Sequence, residues 1–370
     1  MTTINPGLRM VLRGAGSVQI GLGAGGLILE GLQDSELAFV AALRHGIADN
    51  QVMDRAAALG VEASRAADIC SKLSGLLFSD TNLHTQGFRA ERLLPEHSAL
   101  LALYQDPSNA FMTRRERGVI HLLGLGRTGA ALAAILVSAG VGTVLLEDDS
   151  PVAATDVGPG SFGPGDIGLA RAVAVRRNLL RIDPGANAHV VHDGGAGGPG
   201  VRCLDLAIVV GHDAVPAHTA ARFLAGERPH LFVLVREQDG TLGPLVVPGE
   251  TACAECVERH RNVNDPRWLE VCGQLAAAAA SPPENTHGSG ARPRAEMMEN
   301  VALSMALAGT AAAHALLFLD AVNQPSSWSS VLTFHPDNGR WTHQEFGTHP
   351  ECGCQWQNQP FATISSTASP

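Results

Sequence analysis

The stretch that decides the fold reads Val119-Ile120-His121-Leu122-Leu123-Gly124-Leu125-Gly126-Arg127-Thr128-Gly129. Its first five residues form a short apolar run, which is typical of a strand buried in a parallel sheet. Three glycines follow at once, and a helical pattern then continues from about Ala130 to Ala139. The sequence therefore predicts a strand, a phosphate-binding loop and a helix in succession, which is how a Rossmann-like sheet begins.

The three glycines have different physical tasks. Gly124 permits the tight turn, Gly126 lets backbone N–H groups approach a phosphate, and Gly129 allows the helix to pack closely on the strand. Glu147 lies at the end of the next apolar run, where a carboxylate can accept hydrogen bonds from ribose hydroxyls. This arrangement fits NAD, FAD and ATP equally well. The loop alone therefore predicts a nucleotide or dinucleotide site without choosing among these ligands.

Apolar runs and helical patterns alternate beyond the loop. Residues 141–146, 206–210 and 231–235 read as strands, and residues 169–182 and 218–225 read as the helices between them. This alternation predicts an α/β unit whose mostly parallel sheet is covered on both faces.

Charged residues near the loop favour a triphosphate. Asp149 lies two residues after Glu147, close to the expected position of a metal bound to phosphates. Arg171 lies on the helix after Asp166-Ile167-Gly168 and is the arginine best placed to reach a phosphate. Arg176 and Arg177, further along, suit either the same task or a solvated helix face.

Asp213 follows a predicted parallel strand, at the edge of the sheet where ligands bind. A carboxylate there is a candidate catalytic group or magnesium ligand. The alternative is that Asp213 caps the helix that follows.

Two cysteine pairs, Cys253-Ala254-Glu255-Cys256 and Cys352-Gly353-Cys354, carry the clearest metal signal. Two such pairs complete the tetrahedral four-thiolate shell of a structural Zn²⁺. His349 is an alternative ligand or an outer partner. Cys70, Cys203 and Cys272 remain, and Cys272 is interpreted as either a nucleophile or a small buried apolar residue.

Composition and sequence pattern argue against nucleic-acid binding, secretion and a membrane span. The net charge is −10 and Lys72 is the only lysine, which argues against a nucleic-acid partner. The N-terminus shows no secretory signal, so we expect a cytoplasmic protein. Residues 301–319 are uncharged and long enough to raise a membrane span, but their small residues and His314 favour a buried helix instead.

Residues 1–113 read as a separate unit. Residues 8–11 and 17–22 predict a β-hairpin, residues 26–32 a third strand, and Asp34 or Ser35 the cap of a helix over residues 36–45. Two more helices are predicted at 50–59 and 62–78, the second with Ala67, Cys70, Leu73 and Leu77 on one face. This pattern predicts a winged-helix-like α+β domain.

The charge of this domain bears on its function. It carries eight basic against eleven acidic side chains, which disfavours DNA. Two interpretations stay open: a peptide-binding module that adds a ligand strand to its sheet edge, and a module that only packs against its neighbour.

The order of these motifs, from the glycine loop through Glu147-Asp148-Asp149, Asp166-Ile167-Gly168 and Asp213 to the cysteine pairs, resembles the ThiF/MoeB/HesA family, the bacterial relatives of ubiquitin-activating enzymes. The resemblance covers about residues 115–356. It implies adenylation of a peptide or carrier-protein carboxylate with ATP and Mg²⁺, usually by a homodimer that holds a four-cysteine zinc.

The resemblance also implies roles for single residues. Glu147 would contact the ribose, Asp149 and Asp213 the metal and phosphate region, and Arg171 would replace the family's phosphate-binding lysine. An arginine before the first strand, often supplied by the other subunit in the family, matches Arg114, Arg115 or Arg117.

One departure from the family pattern concerns the phosphates. Where the family has an Asn-Leu-x-Arg element, this chain reads Thr155-Asp156-Val157-Gly158-Pro159-Gly160, so the Asn and the Arg are both missing. The loss of two such contacts lowers transition-state stabilisation by several kcal/mol. The variant loop, His349-Pro350-Glu351-Cys352-Gly353-Cys354 and the N-terminal domain are similar to ThiF-like proteins of ribosomal-peptide biosynthesis.

These observations predict a Rossmann-like, mostly parallel sheet of the ThiF type with an N-terminal winged-helix-like domain. The expected boundaries are 1–113 for a leader-peptide-binding domain, 114–357 for an ATP-binding domain with zinc, and 358–370 for a disordered tail, with a mobile loop at 275–294. The expected function is an adenylyltransferase that activates a carboxylate during peptide maturation.

Two other functions compete with it. The first is an inactive leader-peptide-binding partner of a cyclodehydratase or another modifying enzyme. The second, an NAD(P)-dependent oxidoreductase, is weaker because no His, Tyr or Lys falls at an obvious hydride-transfer position.

Overall fold

The computed structural model describes residues 1–23, 25–79, 87–192, 204–280 and 299–354. The predicted tail, most of the predicted mobile loop and Cys203 lie outside these ranges. The chain divides into two compact units, Met1–Thr113 and Arg114–Pro370.

The N-terminal unit combines short strands with short helices. Its strands are β1 (Thr2–Ile4), β2 (Met10–Leu12), β3 (Val18–Ile20), β4 (Leu27–Leu29) and β5 (Leu77–Ser79). Its helices are α1 (Asp34–His45), α2 (Val52–Ala58), α3 (Ala63–Lys72), α4 (Phe88–Arg92) and α5 (Leu94–Tyr104), and α6 (Ala110–Arg117) spans the boundary between the units. Strands β2, β3 and β4 pair antiparallel in that order, which confirms the predicted hairpin and third strand.

The helix predicted over residues 62–78 is too long, and one residue of its predicted apolar face is exposed. α3 ends at Lys72, whose ammonium lies 3.0 Å from Asp68, and the chain then turns into β5. There Leu77 pairs with Ile4 of β1, so cross-strand pairing competes successfully with a longer helix. The buried positions of α3 include Ala66 and Ile69, whereas Ala67 is exposed.

The predicted cap of the first helix is also wrong. Gln33, and not Asp34 or Ser35, holds the N-cap position of α1. The carboxylate of Glu36 accepts a hydrogen bond of 2.8 Å from the Gln33 N–H, so an acid in the first turn satisfies a free backbone donor.

The C-terminal unit is built on an eight-stranded sheet. Its strands are β6 (Val119–Leu123), β7 (Thr143–Glu147), β8 (Asn187–Val190), β9 (Leu206–His212), β10 (His230–Val235), β11 (Gly240–Val246), β12 (Ser330–His335) and β13 (Arg340–Glu345). Its helices are α7 (Arg127–Ser138), α8 (Arg171–Ile182), α9 (Ala217–Ala225), α10 (Ala254–Asn264), α11 (Trp268–Ala280) and α12 (Val301–Asp320).

The sheet runs in the order β13-β12-β11-β10-β9-β6-β7-β8. Strands β8, β7, β6, β9 and β10 are parallel; β6, β7, β9 and β10 were predicted, and β8 was not. Strands β11, β12 and β13 extend the sheet antiparallel and were not predicted.

Two apolar cores cover the two faces of this sheet. Successive residues of β9 alternate between them, with Ile208 in one core and Val209 in the other. Helices α7, α8 and α12 contribute to the first core, and α9 and α10 contribute to the second.

Helix α12 is the one helix, among the described residues, that is long and apolar enough to cross a membrane by length and composition. In its most apolar window, 44% of the residues are buried inside the protein. Ala308, Ala311, Ala312 and Ala315 are all buried in the first core, which confirms the predicted packing through small residues.

Candidate nucleotide and metal sites

The glycine loop joins β6 to α7 with very little space around it. Gly124 adopts a φ of +84°, and a Cβ there would lie 2.0 Å from the Val210 carbonyl oxygen. A Cβ on Gly129 would lie 2.0 Å from the Gly124 carbonyl oxygen. Both positions therefore require glycine, one for backbone conformation and close packing, the other for close packing alone.

Gly126 is the N-cap of α7, where the backbone N–H groups of the first turn are free to bind an anion. A Cβ on Gly126 would lie only 2.2 Å from Oε1 of Glu299. The space that the missing side chain leaves open therefore faces a carboxylate of the same chain.

Glu299 immediately precedes the N-cap of α12 and was not identified from the sequence. Its Oε2 accepts hydrogen bonds of 2.7 Å from the Thr128 N–H and 2.6 Å from the Thr128 hydroxyl. The side chain of Glu299 is 6% exposed, and Nε2 of His212 lies 3.5 Å away. Burial opposes ionisation, but His212 and Thr128 outweigh it and hold the pKa of Glu299 below its ordinary value.

Asp148 also lies at the loop. Its Oδ2 accepts a hydrogen bond of 2.8 Å from the Leu125 N–H. Of the three consecutive acids at the end of β7, Glu147 and Asp149 are the residues selected from the sequence, and Asp148 between them is not. The alternation of side chains along an extended chain is the signal that separates Asp148 from its two neighbours.

Glu147 and Asp149 have other partners. An Oε2 of Glu147 lies 2.9 Å from Nε2 of the fully buried His121, and Arg222 of α9 lies 3.9 Å from its other oxygen. Asp149 is 60% exposed and contacts His192 at 2.9 Å.

Arg171 begins α8 and points toward the loop, where carboxylates surround it. Its Nη2 and Nε donate to Asp156 at 2.8 and 3.0 Å, and its Nη1 lies 3.5 Å from Asp148. Burial alone would lower the pKa of Arg171, but Asp148 and Asp156 raise it overall. Asp156 lies within the Thr155–Gly160 stretch that replaces the family's Asn-Leu-x-Arg element, so an acid of that stretch neutralises the arginine expected to bind phosphate.

The next two arginines of α8 do not approach the loop. Arg176 donates to the Ala188 carbonyl of β8 at 2.9 Å, and Arg177 pairs with the buried carboxylate of Asp166. The side chains of Arg176 and Arg177 therefore connect α8 to β8 and to Asp166.

Asp213 follows β9 at the carboxyl edge of the sheet. It adopts a φ of +61°, which is uncommon for a residue other than glycine, and its N–H donates to the Val235 carbonyl at 3.0 Å. The strand after which it lies pairs with β6, so Asp213 and the glycine loop belong to neighbouring strand ends.

Two of the arginines before β6 contact the buried residue Asp320. Arg115 is 5% exposed and donates to the Asp320 carboxylate at 2.6 and 2.8 Å. Arg114 contacts the Asp320 carbonyl, and Arg117 is exposed.

The four cysteines predicted as metal ligands meet at the start of α10, two from that helix and two from the segment after β13. All four Sγ atoms lie within 4.8 Å of one another. The separations are 3.8 Å for Cys253–Cys256, 3.5 Å for Cys253–Cys352 and 3.4 Å for Cys256–Cys354. A tetrahedral zinc with Zn–S bonds of about 2.3 Å places its sulfurs about 3.8 Å apart, so the cluster fits that ion.

The pKa values of the cysteines also favour a bound cation. Hydrogen bonding from Cys253 lowers the pKa of Cys256 to about 4, while burial raises the pKa of Cys354 to about 12. The four thiols therefore share protons and do not all ionise together unless a cation joins them.

His349 supports the cluster through its backbone. Its N–H donates to Sγ of Cys256 at 3.3 Å, and its Nδ1 accepts from the Glu351 N–H at 3.2 Å. Cys272 lies apart, half-buried beside Glu258 at 3.6 Å, and burial raises its pKa to about 12, which disfavours a nucleophilic thiolate.

A model of the ThiF family matches residues 101–355 of the chain. No curated protein matches it at a significant level. Among solved structures, the microcin C7 biosynthetic enzyme MccB in complex with N-formylated MccA has a TM-score of 0.69 and 15% identity, with 96% of this chain and 99% of that chain covered.

Two further solved structures are similar to this chain. MccB of E. coli with ATP has a TM-score of 0.66 and 15% identity, over 96% and 99% of the two chains. PaaA has a TM-score of 0.67 and 12% identity, over 93% and 99%. At such identities these structures establish a shared fold.

Proposed function

We propose that this chain, which belongs to the ThiF family, binds MgATP at its glycine loop and uses it to adenylate the carboxylate of a peptide. The observation that carries the proposal is the convergence at the carboxyl edge of the parallel strands: the loop after β6, Asp148 after β7 and Asp213 after β9. Parallel α/β sheets bind their ligands at this edge.

In the proposed reaction, an oxygen of the peptide carboxylate attacks the α-phosphorus of ATP, and the bond to the β-phosphate oxygen breaks. The products are an acyl adenylate and pyrophosphate, so charge accumulates on the phosphates as the reaction proceeds. Backbone N–H groups at the start of α7 and the guanidinium of Arg171 are the groups of this chain that can stabilise it.

Two carboxylates are proposed as ligands of Mg²⁺, which would neutralise phosphate charge. Asp213 follows β9, the strand that pairs with β6, and Asp149 faces solvent beside His192. Glu147 stays our candidate for the ribose, although that contact requires it to leave His121, and Asp148 already lies at the loop.

We propose Zn²⁺ as the ion of the four-cysteine cluster. Closed four-thiolate sites leave no open position for substrate, so its contribution is to join α10 to the segment after β13. Reduced thiols favour the cytoplasm as the compartment.

The N-terminal unit is proposed to bind the peptide. β2 and β4 are edge strands of their sheet over the residues that the structure describes, and Leu12 of β2 and Ile28 of β4 are exposed. Such an edge accepts an extended peptide as an additional strand. MccB has been solved with its peptide MccA, which supports the same class of partner here. A homodimer is the proposed assembly, as in the family.

A second function is favoured by the charge of the loop. Arg171 is paired with Asp156, and Glu299 lies against Gly126, so the loop holds carboxylates where phosphates are expected. A chain whose loop stays closed to ATP would present a peptide to a separate modifying enzyme.

Calorimetric titration with MgATP, with NAD⁺ as the control nucleotide, separates the two functions. We expect ATP to bind and NAD⁺ not to bind, and labelled pyrophosphate to exchange into ATP when a carboxylate substrate is present. Absence of ATP binding at millimolar nucleotide in a folded, zinc-loaded protein would rule out adenylation by the resting protein.

A further inference from the structure

The carboxylate of Glu299 occupies the anion-binding end of α7. It accepts from the Thr128 N–H at 2.7 Å and from the Thr128 hydroxyl at 2.6 Å. The N-terminus of a helix attracts anions because its first N–H groups are free and its dipole is positive there. Glu299 therefore makes the contacts that a phosphate oxygen would make.

Several contacts hold Glu299 in this place. Its own carbonyl accepts from Nη1 of Arg127 at 3.0 Å, and its carboxylate lies 3.5 Å from Nε2 of His212. The side chain is almost fully buried. A buried, ionised carboxylate with this many donors has a defined position.

A phosphate and the Glu299 carboxylate exclude each other at this position. Oε1 of Glu299 lies 2.2 Å from the position that a Cβ on Gly126 would take. A phosphate approaches the loop through the space beside this glycine. The two anions also repel each other in a site with little water.

We infer that Glu299 is an internal phosphate mimic that closes the glycine loop, so that ATP binds only when Glu299 withdraws. The inference rests on the proposed function, because it concerns how the same nucleotide site is regulated. It makes the resting protein self-inhibited and sets its apparent affinity for ATP by the fraction of molecules in which Glu299 has left.

Arg127 connects this contact to the neighbouring loop. Its Nη1 donates to the Glu299 carbonyl, and its Nη2 donates to the Val157 carbonyl at 2.8 Å. Val157 follows Asp156, the partner of Arg171. If the backbone of Glu299 moves with its side chain, Arg127 loses one of these two carbonyls, next to the ion pair that must open for Arg171 to reach a phosphate.

The test compares ATP and inorganic pyrophosphate as titrants for the full-length wild type, Glu299→Gln and Glu299→Ala. We expect both ligands to bind Glu299→Ala about tenfold tighter than wild type, or more, which is about 1.4 kcal/mol. Glu299→Gln removes the charge and keeps the volume, so its affinity is expected to lie between the two. Glu250→Gln, a change at an exposed carboxylate, is the control and is expected to bind like wild type.

Each outcome has a distinct meaning. If wild type binds ATP and neither Glu299 variant binds it more tightly, the inference is overturned and the proposed function stands. If wild type does not bind ATP but Glu299→Ala binds pyrophosphate, the inference is supported and the resting protein is inactive. If no folded variant binds either ligand, both are overturned. Should Glu299→Ala unfold, the same comparison is made with Glu299→Gln, for which we expect about threefold tighter binding than wild type.

Discussion

The four-cysteine cluster and the glycine loop lie in the same unit and deal with charge in opposite ways. At the cluster, four thiols lie within 4.8 Å and a cation is needed before all of them can ionise. At the loop, the N–H groups at the start of α7 and the guanidinium of Arg171 are suited to bind an anion. The carboxylates of Glu299 and Asp156 already contact them. The cluster is therefore incomplete without an added ion, whereas the loop is complete as it stands.

The largest expected effect removes the ion from the first of these regions. Cys253→Ser leaves three thiols and is expected to abolish stoichiometric zinc, because the closed shell needs all four. Structural zinc contributes roughly 10–16 kcal/mol in small domains, so we expect a loss of about 3 kcal/mol or more and a fall in Tm of about 10 °C.

Metal analysis and thermal unfolding, each with and without a chelator, measure this effect. Cys70→Ser, in the N-terminal unit, is the matched control and should keep the metal. Full zinc content in Cys253→Ser would show that the ion does not need all four thiols, and the contrast between the cluster and the loop would no longer hold.

The second effect concerns the acid proposed to work with the loop. Asp213→Asn removes the charge while keeping a residue that tolerates the φ of +61°. We expect pyrophosphate exchange to fall about a hundredfold, as when a preorganised charge-stabilising group is lost. Asp337→Asn, at an exposed acid, is the control. Unchanged exchange in the Asp213 variant would assign that residue a backbone role only.

The third effect tests whether Glu299 is fixed at the loop. Gly126→Ala places a methyl group 2.2 Å from Oε1 of Glu299, and we expect about 2 kcal/mol of destabilisation. The double variant Gly126→Ala, Glu299→Ala should recover about 1 kcal/mol of it, since the clash is then absent.

Denaturant unfolding of the single and double variants gives this coupling. Gly165→Ala is the control, because a Cβ there has nothing within 4 Å. Additive free energies would mean that Glu299 moves aside freely, and the contrast between an open cluster and a closed loop would weaken.

The smallest effect concerns Arg171. Asp156→Asn weakens the ion pair at 2.8 Å and returns an amide to the stretch where the family has one. We expect ATP to bind about fivefold tighter, which is about 1 kcal/mol. Asp166→Asn, which breaks the Arg177 pair on the same helix, controls for loss of stability and should leave ATP affinity unchanged. Weaker ATP binding in Asp156→Asn would show that the pair holds Arg171 in its working position.

The sequence predicts local patterns well in this chain. The strand before Gly124 has the predicted bounds, since an apolar run followed by three spaced glycines leaves little alternative. The cysteine pairs were predicted together because each pair is close in sequence and four thiols suit one ion.

Long-range contacts account for what the sequence did not predict. Glu299 meets Thr128 across 171 positions, and a lone acid ahead of an apolar helix gives no sign of such a contact. The extension of the sheet by β11, β12 and β13 likewise depends on pairing between distant segments. Which acid of Glu147-Asp148-Asp149 faces the loop depends on the alternation of side chains, which the family pattern did not reveal.

Lys72 has a consequence for the chemistry proposed here. An acyl adenylate is an electrophile that neutral amines capture, so an enzyme that forms one risks acylating itself. This chain carries a single lysine side chain, and that ammonium lies 3.0 Å from the carboxylate of Asp68. Twenty-five arginines supply the remaining Lys/Arg charge, and guanidinium groups stay protonated and poorly nucleophilic. Under the proposed function, the protein therefore exposes a single side-chain amine to its own reactive product.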